Sequence, residues 1–107
     1  MARHKKNRLP PFVYLTKEML NSDAFKKLTN ASRVAYLLLQ AQTCKSDQTI
    51  VKFPYSRAEA YMQKQTFADS IRQLLKLGFI RKEQEGGIFR RTNIYAFNSD
   101  WKSYKRQ

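Results

Sequence analysis

The chain has 107 residues, 21 Lys and Arg against 8 Asp and Glu, one His, and a formal net charge of +13. That length holds one modest core and not two, while 42% hydrophobic and 13% aromatic residues are too many for a disordered polybasic chain. The charge excess disfavours acidic mimics of nucleic acid and freely diffusing metabolic enzymes, and favours a polyanion partner: DNA, RNA or an anionic membrane surface.

Residues 1–11 form a basic arm. Arg3, Lys5, Lys6 and Arg8 sit there without an acid, and Pro10-Pro11 closes the segment. No apolar stretch follows this basic start, which excludes a secretory signal peptide. Phe12-Val13-Tyr14-Leu15 reads as a short strand of β-formers. Thr16 then has the character of an N-cap, and Ser22 caps a short helix through Leu28 in which Phe25 and Leu28 share a face.

The clearest helix begins at Thr29 or Asn30. Val34, Leu37, Leu38 and Ala41 fall at helical spacing, with Ala31 and Cys44 extending the stripe. Cys44 is the lone cysteine, so it forms no intrachain disulfide and is assigned to packing. Residues 34–39 are the longest apolar run, far short of a membrane span, so a cytosolic protein is expected and no membrane partner.

Asp47-Gln48 marks a turn, and residues 49–53 read as a strand that Pro54 ends. Tyr55 or Ser56 starts a short helix running to Met62. After a polar break at Gln63-Lys64-Gln65 comes a second periodic helix, with Phe67, Ile71, Leu74 and Leu75 on one stripe. Lys64, Gln65, Ala68, Asp69, Arg72, Gln73 and Lys76 occupy its other face, and Gly78 is a C′ glycine that stops it. Two β-rich runs, 79–83 and 88–97, flank Glu85-Gly86-Gly87 as a hairpin. In the tail, Trp101 and Tyr104 stand three apart and fit one helical turn.

Helix, strand, short helix, turn, amphipathic helix and hairpin is the order of a winged helix-turn-helix domain. The expected fold class is therefore α+β, a helical core with a C-terminal β-hairpin wing. The stretch from Lys52-Phe53-Pro54-Tyr55 through Thr66-Phe67 and Leu74 to Gly78-Phe79-Ile80 resembles the winged-helix DNA-binding domains of bacterial mobile elements, plasmids and phages. Met19 to Phe25 and Tyr95 to Trp101 fit the same pattern, so the resemblance covers residues 12–104, leaving 105–107 as a basic tail. It implies duplex DNA as partner and a role as a transcriptional regulator or a replication or transfer accessory, with a homodimer as one arrangement.

The chemistry of the residues agrees with that implication. Lys64, Gln65 and Thr66 open a recognition helix over about residues 64–77. Lys and Gln are long donors able to reach base edges, and Thr contacts a phosphate or a thymine methyl. Arg72 and Gln73 follow on the same helix. The wing, about residues 79–97, carries Arg81, Lys82, Arg90 and Arg91 for flanking phosphates, and Lys5, Lys6 and Arg8 of the arm complete the candidate contacts. Of the 21 cations, 14 lie in the arm, recognition helix, wing and tail. Two residues depart from the resembling domains: Gln63 stands where Ser often caps the recognition helix, and Asp69 is an acid on the presumed DNA face. Asp69 either accepts from cytosine N4, pairs with Lys64 or Arg72, or marks a protein-facing surface.

No enzyme is expected. The single His4 lies in the arm, no CxxC or HxxxH spacing suggests a metal, and the three glycines, Gly78, Gly86 and Gly87, form no phosphate-cradling loop. No cofactor or small-molecule ligand is implied. Two alternatives stay open. One is a basic RNA-binding protein, with Tyr55, Tyr61 or Phe89 stacking on bases. The other is a winged-helix module for protein contact or dimerisation through the apolar ends, Phe12–Leu15 and Trp101–Tyr104.

Overall fold

The structure is a computed structural model that describes residues 13–42, 50–84 and 94–105. The expectations for the arm, for Cys44, for the turn at Asp47-Gln48, for the Gly86-Gly87 turn and for Phe89 fall outside them.

Among the described residues four α-helices come first in importance: α1 (Lys17–Leu20), α2 (Asp23–Lys27), α3 (Asn30–Gln42) and α4 (Lys64–Leu77). Both expected caps form. The Thr16 hydroxyl accepts from the Met19 N–H at 3.1 Å, and the Ser22 hydroxyl accepts from the Phe25 N–H at 3.1 Å. The Thr29 hydroxyl does the same for Ser32 at 3.1 Å, which fixes the start of α3. Arg33 is absorbed by the fold. Its guanidinium donates to the carbonyls of Phe25 and Lys26 at the end of α2 and lies 5.3 Å over the Phe25 ring.

Three strands among the described residues, β1 (Ile50–Lys52), β2 (Ile80–Gln84) and β3 (Ile94–Phe97), form one antiparallel sheet in the order β1-β3-β2. Between β1 and α4 lies a 3-10 helix, Tyr55–Ala60, and a second 3-10 turn, Asp100–Ser103, follows β3. The fold is thus α+β in a winged-helix layout: helices with a β-hairpin after them, braced by β1.

Three expectations are corrected. Val13 to Leu15 form no strand, because every ladder of the sheet is made by β1, β2 and β3; Leu15 packs against the core instead. The buried face of α3 is Ser32, Ala35, Tyr36 and Leu39, not the stripe through Val34 and Ala41. Residues 34–39 are apolar throughout, so hydrophobicity cannot single out a face there; the small Ser32 and Ala35 do, by letting α4 approach. Val34 stays 40% exposed. Finally, the helix before the turn is 3-10, ends at Ala60, and leaves only Tyr61-Met62-Gln63 before α4 starts at Lys64.

The core is aromatic. Phe79 is fully buried, meets Phe25 and Tyr36 edge-on at 6.3 and 5.6 Å, and stacks on Trp101 at 5.8 Å with the rings 5° from parallel. Phe67 packs between Phe53 and Tyr55 at 5.4 and 5.1 Å. Burial holds the Tyr36 phenol above its ordinary pKa of 10.0, against the opposing hydrogen bond with Gln40.

α4 ends in a Schellman closure. Gly78 adopts φ 90°, the Phe79 N–H reaches the Leu74 carbonyl at 3.0 Å, and the Gly78 N–H reaches the Leu75 carbonyl at 3.3 Å. The Gly78 carbonyl then accepts from the Trp101 N–H at 3.2 Å, so the turn and the C-terminal segment are held together.

Candidate nucleic-acid interface

α4 has one buried face, made of Phe67, Ser70, Ile71, Leu74 and Leu77. At 3.6 residues per turn the line opposite that face runs through Gln65, Asp69, Arg72 and Lys76. All four are exposed, and they form the outermost ridge of the helix. Lys64 is exposed at the first helical position, and Thr66 is half-buried on the flank. Gln63 is the N-cap and makes no side-chain capping bond, and the first turn carries no acid. The first-turn N–H groups of α4 therefore have no capping partner from the Gln63 side chain.

The ridge is cross-linked. Arg72 Nη1 donates to Asp69 Oδ1 at 2.5 Å, and Gln65 Nε2 donates to the same oxygen at 3.0 Å. Of the three settings open to Asp69 from sequence, the pairing with Arg72 is the one seen. The pair is 66% and 59% exposed, so it adds only about 0–1 kcal/mol to stability.

Gln73 is the site residue the structure reassigns. Its Oε1 accepts from the Ser32 hydroxyl at 2.6 Å and from the Thr29 N–H at 3.0 Å, while its Nε2 donates to the Lys27 carbonyl at 3.3 Å. The carboxamide is turned toward the α2–α3 junction and locks α4 to it, which takes it off the candidate DNA surface. Gln73→Ala leaves the buried Ser32 hydroxyl and a helix-terminal carbonyl without this partner, and is expected to cost about 1–3 kcal/mol in chemical denaturation. A change below 0.5 kcal/mol, on the order of an ordinary surface substitution, would refute the lock.

Arg81 and Lys82 are exposed on β2, opposite Ala96 and Tyr95 of β3. A register shift between Lys82 and Gln84 marks where the strand departs from regular pairing toward the wing tip. Arg90 and Arg91 of the wing, and Lys5, Lys6 and Arg8 of the arm, lie outside the described residues. The structure therefore brings Lys64, Gln65, Thr66 and Arg72 onto one helix and Arg81 and Lys82 onto the adjoining strand.

Lys76 is a residue that sequence reasoning did not place among the contacts. Its signal was present: 65, 69, 72 and 76 repeat at helical spacing opposite the apolar stripe. Lys76, Arg81 and Lys82 also border an open groove of about 520 Å³ between the end of α4, β2 and the Asp100–Ser103 turn, with Asp100 among its walls.

Two of the candidate stacking aromatics separate. Tyr55 is half-buried against Phe67, whereas Tyr61, in the turn before α4, is 62% exposed. Trp101 is 6% exposed and stacks on Phe79, and Tyr104 is half-buried against the core, so of the C-terminal aromatics Trp101 is taken up within the chain. Among the described residues there is no cluster of three or more metal-binding side chains and no helix long and apolar enough to cross a membrane. No family model, curated protein or solved structure matches the chain.

Proposed function

We propose that the protein is a duplex DNA-binding module in which α4 enters the major groove and the β2–β3 wing meets the flanking backbone. The observation that carries this reading is the ridge Gln65-Asp69-Arg72-Lys76: a polar line on the second helix of a helix-turn-helix, opposite a fully buried face. The net charge of +13 supplies the sequence-independent attraction to phosphate. The resemblance to domains of mobile elements, plasmids and phages supports a role as transcriptional regulator or as replication or transfer accessory.

Duplex binding measured across a range of salt concentrations, against structured RNA as competitor, tests the proposal. Affinity is expected to fall steeply with salt and the duplex to be preferred. Lys64→Ala combined with Gln65→Ala is expected to weaken binding about tenfold. Equal affinity of the double variant and the unaltered chain would remove α4 as the reading element, and preference for RNA would transfer the role to RNA. A second reading, protein contact or self-association, is favoured by Val13, Tyr14, Leu20 and Val34, which are 37%, 65%, 45% and 40% exposed. A homodimer would place two α4 helices on paired half-sites.

A further inference from the structure

The geometry points to Asp69 as a positioning residue that holds Arg72 for recognition of a guanine in the bound duplex. This rests on the duplex-binding reading above and specifies what its central helix reads.

An acid on the outermost line of a DNA-facing helix is unfavourable for plain phosphate binding, because it repels the backbone wherever it lies. Its presence needs a compensating role, and its bonds supply one. A single carboxylate oxygen, Asp69 Oδ1, accepts from Arg72 three residues on and from Gln65 four residues back. Arg and Gln are long side chains whose rotamer freedom is lost when they engage a base. Tethering both to one carboxylate removes part of that freedom before binding.

The remaining valences fit a base edge. A guanidinium carries five N–H groups in a rigid plane. One Nη1 hydrogen goes to Asp69, which leaves the Nη2 and Nε edge of the same plane. Two parallel donors of this kind match guanine O6 and N7 in the major groove, the commonest specific arginine contact. Asp69 also partly neutralises Arg72, so a loose, sequence-independent phosphate contact loses strength relative to the directional one. The acid thus trades general affinity for discrimination.

Selection of bound duplexes from a random pool, run in parallel with the unaltered protein, Asp69→Ala and Arg72→Lys, tests this. The unaltered protein is expected to enrich a motif with an invariant guanine. Asp69→Ala is expected to bind random-sequence duplex at least as tightly as the unaltered protein, while preference for that guanine falls about tenfold. Arg72→Lys keeps the charge but not the fork, and is expected to lose preference for the same guanine. Because the ion pair is exposed, both variants are expected to keep the far-UV spectrum and thermal midpoint. If Asp69→Ala enriches the same motif to the same degree, or weakens every sequence in parallel, the positioning role is wrong although duplex binding stands. If the unaltered protein binds no duplex, the proposed function fails and this inference with it.

Discussion

Gly78→Ala is expected to destabilise the fold by about 3 kcal/mol or more. The residue sits at φ 90°, in the left-handed region, where an alanine costs about 1–2 kcal/mol. Space adds to conformation. A Cβ on Gly78 would stand 2.7 Å from the Asp100 Cβ, 2.7 Å from the Trp101 backbone nitrogen and 2.8 Å from the Asp100 carbonyl carbon. Two of those three atoms are backbone, so no rotamer change relieves the overlap. The segment can withdraw only by giving up the hydrogen bond from the Trp101 N–H to the Gly78 carbonyl. Trp101 is the single tryptophan, so its fluorescence reports this displacement directly. Urea denaturation followed by fluorescence and far-UV circular dichroism measures the loss; a cost below 1 kcal/mol would mean that the 98–105 segment does not hold the turn as described.

Trp101→Ala is expected to cost about 3–5 kcal/mol, the range for removing a large buried aromatic. The indole is 6% exposed and stacks on Phe79, which itself contacts Phe25 of α2 and Tyr36 of α3. Removing it opens a cavity against the ring that joins these helices to the sheet. Trp101→Phe keeps an aromatic face on Phe79 and is expected to retain most of the stability. Denaturant midpoints read by circular dichroism separate the two variants, and equal midpoints would show that stacking area at this position does not matter.

Much of this arrangement was legible in the residues. The Thr16 and Ser22 caps, the stop at Gly78, the buried Phe67, Ile71 and Leu74, and the docked turn of Trp101 and Tyr104 all follow from local chemistry that tertiary packing leaves intact. What was not legible depends on partners distant in sequence. The buried side of α3 is chosen by what α4 presents to it, and Ser32 goes inside because Gln73, 41 positions on, receives its hydroxyl. Gln73 and Gln65 are the same residue type on one helix, yet one is a structural lock and the other lies on the exposed ridge; their chemistry alone does not distinguish them. Arg33 contributes to the charge total but is occupied at the end of α2, so the positive charge offered outward is smaller than the composition implies.

The strand order carries a consequence for how the chain assembles. β3 is the central strand, and β1 and β2 pair with it but not with each other. Neither outer strand has a hydrogen-bonding neighbour in the sheet until residues 94–97 are in place. The helices can therefore form before the sheet, which waits for residues 94–97, and closing the ladder from Ile50 to Ala96 carries the entropic cost of a long loop. Pairing β2 with β3 closes a short loop and pairing β1 with β3 a long one, so the strand that completes the hairpin is also the strand that ties it to β1.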